Sequence, residues 1–166
     1  MKPAFARYGA YPVRLDYFNS GVPDLDDFLR YETQRYTTQG LSAVKLLIDT
    51  EADRIIGFYA ISPVTVQIKW LSLAQQSHYK VKFPIPAWLV GRLAVDKTYQ
   101  NMYFGEALLF DAIANIQQRA DGGAGALIVV DAKNDMVKRF YEKYGFRALS
   151  TSKGLKLARP LTDITE

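Results

Sequence analysis

The chain has 166 residues, of which 49% are hydrophobic and 23% charged, so it can build an ordinary globular core without staples. It has no cysteine and a single histidine, His78, which excludes disulfides, thiolate metal sites and a cysteine nucleophile and predicts no metal site. The formal net charge of +4 suits an anionic ligand or a polyanion such as RNA, although a solvated, slightly basic surface is the simpler explanation.

No run of apolar residues reaches the length of a signal peptide or a membrane span. The sequence therefore predicts a cytoplasmic protein with no membrane partner. Residues 1–166 contain no linker, internal repeat or low-complexity tract, which predicts a single domain.

The N-terminal half predicts a strand, a helix and a hairpin. Residues 14–18 alternate in polarity as a strand does, and a turn then leads to Asp24, the expected N-cap of a helix over residues 25 to about 36. Two runs rich in β-branched and aromatic residues, 43–48 and 55–61, flank a polar turn and predict an antiparallel hairpin.

The C-terminal half alternates between apolar strands and helical stripes. Residues 75–83 are polar and end at two prolines, which predicts a loop with His78 exposed in it. The elements after this loop are, in order, a strand over 87–95, a helix with its apolar stripe over 104–116, a strand over 126–130, a helix over 135–144 and a hairpin of 146–149 with 155–158. Hairpins require antiparallel pairing and the alternating portion requires parallel pairing, so a mixed α/β sheet with helices on both faces follows.

The junction between the strand over 87–95 and the next helix predicts an anion site. The first N–H groups of a helix have no partner within it and lie at its positive end, where a phosphate or pyrophosphate binds well. The loop DKTYQNMYFG contains one glycine, Gly105, and matches neither the Walker loop nor the dinucleotide-binding pattern. A P-loop NTPase and a Rossmann oxidoreductase are therefore excluded.

The segment LAVDKTYQNMYFGEALL resembles the acetyl-CoA pyrophosphate segment of the GNAT acetyltransferases, whose loop follows the pattern Q/R-x-x-G-x-G/A. Gln100 takes the first position and Gly105 the last, whereas Tyr103 stands where the pattern has a glycine that permits positive φ or close approach to a phosphate. The resemblance implies that acetyl-CoA is bound by Leu93, Ala94, Val95, Gln100, Asn101, Met102, Tyr103, Phe104, Gly105 and Glu106.

The segment VDAKNDMVKRFYEKYGF is similar to the last conserved region of the same family. The resemblance implies that Asn134 contacts the pantetheine arm, with Phe140 also at the cofactor, and that Tyr141 lies near the thioester sulfur. A phenol can donate a proton or a hydrogen bond to a departing thiolate, so Tyr141 is the expected catalytic residue and Tyr144 the fallback. The implied fold is a single-domain GNAT-like mixed sheet, twisted and mostly antiparallel.

A narrower resemblance links the N-terminal half and the strand GRLAV to the GNAT toxins of bacterial toxin–antitoxin pairs, which acetylate aminoacyl-tRNA. It implies tRNA and an antitoxin protein as partners beside acetyl-CoA, and it leaves a homodimer open. The candidate substrate contacts are Lys138 and Arg139, because phosphate contacts by such groups bind RNA, and Arg92, which is expected to border the cofactor cleft. The alternatives are a carboxylate partner for Arg92 and a solvated face for the other two.

Three functional hypotheses remain after the sequence alone. The first is an acetyl-CoA-dependent N-acetyltransferase that acts on the amine of aminoacyl-tRNA, as a translation-blocking toxin does. The second is an acetyltransferase for a small amine or a protein. The third is a GNAT fold that binds acyl-CoA with weak or no turnover, which Tyr103 keeps open. Fold alone does not decide between them.

Overall fold

The computed structural model describes residues 1–121 and 123–162. The strands of the described residues are β1 (Pro3–Arg7), β2 (Ala43–Asp49), β3 (Arg54–Val66), β4 (Ile85–Val95), β5 (Leu127–Asp131), β6 (Arg147–Ala148) and β7 (Lys156–Pro160). They form one sheet in the order β1-β2-β3-β4-β5-β7-β6. The pairs β1–β2, β2–β3, β5–β7 and β6–β7 are antiparallel, and β4–β5 is parallel. The predicted mixed, mostly antiparallel sheet is confirmed.

The α-helices of the described residues are α1 (Pro23–Asp27), α2 (Thr33–Thr38), α3 (Leu73–Tyr79), α4 (Phe104–Arg119) and α5 (Asp135–Glu142). A π-helical turn over Phe28–Glu32 joins α1 to α2, and short 3₁₀ turns occupy Ile68–Trp70 and Lys97–Tyr99. None of these helices combines the length and the apolar character that crossing a lipid bilayer needs.

The chain divides into two compact units by its internal contacts. The first unit contains Met1–Ser62 and Arg92–Ala114. Its core packs Phe58 edge-on against Phe18 and parallel to Phe28, with ring centroids 5.6 and 6.2 Å apart. A Cβ at Gly57 would lie 2.5 Å from the main-chain oxygen of Ala94, so only glycine permits this approach of β3 to the end of β4.

The second unit contains Pro63–Gly91 and Asn115–Glu166. The parallel register of β4 and β5 runs from Ala87 opposite Leu127 to Val90 opposite Val130. The four β5 residues of this register are buried, as expected of a short apolar run in a central strand.

Two element predictions in the N-terminal half were wrong. Residues 14–18 form a turn, closed by the N–H of Phe18 donating to the oxygen of Leu15, and the first strand is β1. The helix begins at Pro23 with Val22 as its N-cap, so Asp24 lies inside the first turn instead of capping it. Proline is well suited to the first helical position, because an N–H at that position would have no acceptor within the helix.

The predicted loop over 75–83 was also wrong in part, because α3 occupies most of it. Ser72 and Gln75 form a capping box, in which each side chain bonds the other residue's main chain. His78 lies on α3 and is exposed, as expected. The strand predicted over 87–95 begins two residues earlier, at Ile85.

Candidate active site

Tyr141 lies near the end of α5 in the second unit. The helix is capped by Asn134, whose side-chain oxygen accepts a hydrogen bond of 2.9 Å from the N–H of Val137. The chain turns at Gly145, which has a φ of 89°. Between these ends Tyr141 is only 4% exposed, and its ring packs edge-on against Phe146 with centroids 5.7 Å apart.

The hydroxyl of Tyr141 is the reactive part of this side chain. Burial, helped by the negative charge of Asp131, raises the pKa of Tyr141 to about 12. Among the described residues the hydroxyl has no hydrogen-bond partner, yet no fully buried side-chain polar atom lacks one there. The oxygen therefore reaches the surface while the ring stays buried, and the phenol is a protonated hydrogen-bond donor at neutral pH.

The loop from β4 to α4 lies in the first unit and has an unusual backbone. Asp96 directly follows β4 and caps the 3₁₀ turn, because its side chain accepts a hydrogen bond of 2.8 Å from the N–H of Thr98. Asn101 and Tyr103 then adopt left-handed conformations, with φ of 64° and 63°. Tyr103 thus takes a left-handed backbone conformation of the kind that glycine adopts freely, at a cost of about 1–2 kcal/mol for a residue with a Cβ. Its side chain is 83% exposed.

The left-handed residues deliver the chain into the N-terminus of α4. The N–H of Ala107 donates to the oxygen of Tyr103, which is an ordinary helical bond. The N–H groups of Phe104, Gly105 and Glu106 precede it and belong to the first turn, whose amides have no acceptor within a helix. Such amides at the positive end of a 16-residue helix are suited to a phosphate.

Gln100 does not extend a free side chain toward a ligand. Its amide nitrogen donates to the main-chain oxygen of Ser20 at 3.0 Å and to that of Val95 at 2.9 Å. The side chain therefore holds protein to protein, and any contact of Gln100 with a bound molecule falls to its remaining atoms.

The other residues predicted to bind acetyl-CoA lie at the end of β4, in the same loop, at the start of α4 and on α5. Ala94 is 5% exposed, while its neighbours Leu93 and Val95 are half-buried. Met102 is exposed beside Tyr103, and Phe104 is half-buried with its ring edge-on to Tyr99 at 6.3 Å. In the second unit, Phe140 is half-buried and in ring contact with Tyr141 at 5.3 Å.

Arg92 lies flat on aromatic rings at the end of β4. Its guanidinium carbon is 3.8 Å from the ring centroid of Phe28 and 5.4 Å from that of Tyr36. The alternative of a carboxylate partner is wrong for the described residues, where Arg92 forms no ion pair. A half-buried guanidinium that stacks without such a partner keeps its N–H groups for an external acceptor.

Lys138 and Arg139 lie on α5, one turn or less before Tyr141. Lys138 is half-buried. Its ammonium nitrogen lies near Gly154, 3.7 Å from the position that a Cβ would take there. Arg139 is exposed. The structure thus places these two with Tyr141, Asn134 and Phe140 in the second unit, and the remaining predicted site residues in the first.

The residues that hold the loop in place were not among those predicted from the sequence. Asp96 is buried at 3% exposure, and Phe28, which carries Arg92, is buried in the core of the first unit. The aspartate directly after the strand GRLAV is a signal for a cap, since a short acidic side chain there bonds the next free N–H. No local pattern indicates the stack of Arg92 on Phe28.

Comparison with known proteins finds relatives that extend over most of the chain. Residues 43–148 match the family model described as the acetyltransferase (GNAT) domain. A "tRNA-acetylating toxin" of Mycobacterium tuberculosis is 33% identical over 134 residues, which cover 81% of this chain and 78% of the relative. A "Probable toxin TacT" of Sinorhizobium fredii is 23% identical and covers 89% of this chain and 84% of its own.

Solved structures share the fold. A tyrosine-to-phenylalanine mutant of KacT has a TM-score of 0.88 at 23% identity, covering 97% of this chain and 96% of its own. AtaT complexed with acetyl-methionyl-tRNAfMet has a TM-score of 0.85 at 21% identity, covering 96% and 95%. The family match and the relative from M. tuberculosis each extend over most of the chain, and the chain therefore belongs to the GNAT family of acetyltransferases.

Proposed function

We propose that this acetyltransferase moves an acetyl group from acetyl-CoA to the amino group of an aminoacyl-tRNA, and that it does so in the cytoplasm as a translation-blocking toxin. The observation that carries the choice of acceptor is the 33% identity with the tRNA-acetylating toxin of M. tuberculosis over 81% of this chain. We also propose that residues 1–166 act as one acetyltransferase domain, since the family match takes residues from both compact units.

The donor site is supported by residues that fit a nucleotide thioester. The left-handed loop at Asn101 and Tyr103 and the first-turn amides of α4 suit a pyrophosphate. The main chain of Leu93–Val95 continues β4 past its last registered pair with β5, at Val90, and offers N–H and C=O groups for an extended arm. Asn134 retains its side-chain NH₂, because only its oxygen serves the helix cap.

Tyr141 contributes a hydrogen-bond donor at the leaving sulfur. Acetyl-CoA supplies the activated acetyl group, and its departing thiol has a reference pKa near 8.5. With the pKa of Tyr141 at about 12, complete proton transfer from the phenol to the thiolate is uphill by about 5 kcal/mol. The phenol therefore acts chiefly by hydrogen bonding to the developing negative charge, and the amine's own proton completes the thiol.

The acceptor side is supported by its cations. The stacked guanidinium of Arg92 offers several N–H donors to a phosphate in a fixed plane. Lys138 and Arg139 lie on the helix that carries Tyr141 and would meet a polyanion that brings its amine to that residue. Phosphate contacts of this kind make affinity for RNA fall with salt.

The further partners follow from the same relatives. AtaT has been solved bound to the C-terminus of the antitoxin AtaR and acetyl-CoA, and KacTA has been solved with DNA. We extend the proposal to an antitoxin protein for this chain, with a homodimer as its assembly. Tyr103 is compatible with an active acetyltransferase, because its backbone adopts the positive φ that a glycine at this position would permit.

The test is acceptor labelling. The protein is incubated with radiolabelled acetyl-CoA and a panel of aminoacyl-tRNAs, the same tRNAs deacylated, peptides and polyamines. We expect label on charged tRNA only, at the amino group of the esterified amino acid. Labelling of peptides or polyamines with none on tRNA would contradict the acceptor and leave the acetyltransferase assignment intact. Expression in a bacterium should arrest growth.

A further inference from the structure

Three long-range hydrogen bonds join the loop between β4 and α4 to the turn that precedes α1. We call this loop the donor loop, because the proposed function assigns it to the acetyl donor. The N–H of Asn19 donates to the carboxylate of Asp96 at 2.9 Å, and the N–H of Lys97 donates to the oxygen of Asn19 at 2.8 Å. The amide of Gln100 donates to the oxygen of Ser20 at 3.0 Å. We call these three bonds the loop bracket. All of its atoms lie in the first unit.

Both ends of the loop bracket are firmly built. Ser20 is 8% exposed and donates through its N–H and its hydroxyl to Asp26, at 2.9 and 2.7 Å, which ties the turn to α1. Gly21 has a φ of 88°, and a Cβ there would lie 2.9 Å from the Lys97 side chain. Asp96 is 3% exposed and also bonds Thr98. Buried carboxylates that accept several N–H groups hold a backbone strongly.

The turn in the loop bracket positions the residues under Arg92. It leads directly into α1 and the π-helical turn, whose Phe28 is 3% exposed and stacks on the guanidinium of Arg92. The oxygen of Phe28 accepts bonds from the N–H and the hydroxyl of Thr33, and these bonds close the π-helical turn. The guanidinium of Arg30 donates to the oxygen of Phe18, next to the bracket.

Gln100 therefore lies at the first position of the acetyl-CoA loop pattern, but its side-chain N–H groups donate to Ser20, in the turn before α1, and to Val95. We infer, resting on the proposed function and its use of Arg92, that Gln100 and Asp96 are positioning residues for the acceptor. Through the loop bracket they hold the turn, α1 and Phe28, and so they fix the plane in which Arg92 meets the tRNA. Their side chains are not ligands of acetyl-CoA.

The first test separates the two substrates. Gln100→Met keeps the length of the side chain and removes its N–H donors, and Gln118→Met makes the same change at an exposed position of α4. We expect Gln100→Met to raise the KM for aminoacyl-tRNA roughly tenfold, the order expected for one or two lost hydrogen bonds. Relative to the Gln118→Met control, the Kd for acetyl-CoA, measured by calorimetry, should change much less than the acceptor KM does. A weakened Kd with an unchanged acceptor KM would overturn the inference and make Gln100 a donor ligand.

The second test does not depend on the acceptor. In hydrogen exchange, the amides of Asn19 and Lys97 should exchange faster in Gln100→Met than in wild type, because the bracket that protects them is weakened. Unchanged exchange at both amides would overturn the inference. Failure of the wild type to acetylate any aminoacyl-tRNA would sink the proposed function, while exchange and calorimetry still decide whether the bracket exists and spares the donor.

Discussion

Tyr141 and Phe146 pack edge to face across the end of α5, with ring centroids 5.7 Å apart. Phe146 is fully buried, so this contact anchors the ring of Tyr141. The hydroxyl oxygen of Tyr141 is then the part of the side chain that can take part in the reaction. Packing and chemistry are thereby divided between two parts of one side chain, and a substitution that removes the oxygen alone can test the chemistry.

Tyr141→Phe should lower kcat by about 10²–10³-fold, the usual cost of removing one hydrogen-bond donor that stabilises a developing negative charge. The melting temperature should stay near that of the wild type because the ring contacts with Phe146 and Phe140 remain. Steady-state kinetics and a thermal melt check both parts. Tyr144→Phe is the matched control and should keep its turnover. If instead Tyr144→Phe loses activity and Tyr141→Phe keeps it, the assignment moves to Tyr144.

Alkaline pH should destabilise the folded protein through Tyr141. The unfolded chain releases this proton near pH 10 and the folded chain near 12, so between these values the folded state binds more protons. Raising the pH therefore favours unfolding, by up to about 3 kcal/mol across the interval. Denaturant unfolding of wild type and Tyr141→Phe at pH 8 and above 10 measures this. A stability difference between the two proteins that does not change with pH would contradict it.

Tyr103→Gly should stabilise the protein slightly. Glycine removes the left-handed strain of about 1–2 kcal/mol but adds freedom to the unfolded chain, so the net gain is smaller. Tyr103→Ala is the control, since it shortens the side chain while it keeps the Cβ and the strain. Denaturant unfolding should rank the glycine variant above the alanine variant. Equal stability of the two would mean that this backbone conformation carries no strain.

Asn134→Asp should separate the helix cap from the donor contact. Aspartate caps α5 as well as asparagine does, so the melting temperature should be retained. It lacks the NH₂ group, so the Kd for acetyl-CoA should weaken. Asn134→Ala should lose the cap as well, at about 1 kcal/mol. Calorimetry on the three proteins decides, and unchanged donor affinity in Asn134→Asp would remove this side chain from the donor site.

Arg92→Lys should weaken the acceptor and leave the donor unchanged. Lysine keeps the charge but loses the planar fork that stacks on Phe28. If Arg92 binds a phosphate, replacement by methionine should also lower the salt dependence of tRNA binding by about one unit of log–log slope. Arg119→Met, on an exposed part of α4, is the control. An identical salt slope in the Arg92 and Arg119 variants would argue against a phosphate contact.

The sequence predicted those parts of the fold that local periodicity decides. β4, α4, β5 and α5 carry apolar runs or stripes bounded by glycines and caps, and their predicted positions hold to within a few residues. β1 escaped because all but one of its residues are exposed, so it pairs with β2 through its main chain and shows no buried alternation. α3 was not predicted, although the sequence contains the Ser72 and Gln75 of its capping box.

The features of the candidate site likewise divide into those that a local motif predicts and those that only the folded chain brings together. Tyr141, Asn134 and the loop into α4 came from motifs within short segments. The bond from Gln100 to Ser20 spans 80 residues of sequence, and Arg92 reaches Phe28 from a different element. Such contacts arise only when the chain has folded, so no window of neighbouring residues contains them. The loop pattern assigned Gln100 to acetyl-CoA, and it contained no sign that the amide donates to the turn before α1.

The left-handed backbone at Tyr103 also bears on how acyl-donor loops are recognised among distant proteins. A pattern written in residue letters rejects this loop at one position, because a tyrosine stands in place of a glycine. A pattern that asks for a positive φ at this position accepts it. Searches that score the conformation of the loop instead of its glycines would recover acetyltransferases that letter-based patterns discard, and the exposed ring at this position offers an optical probe of the loop that glycine lacks.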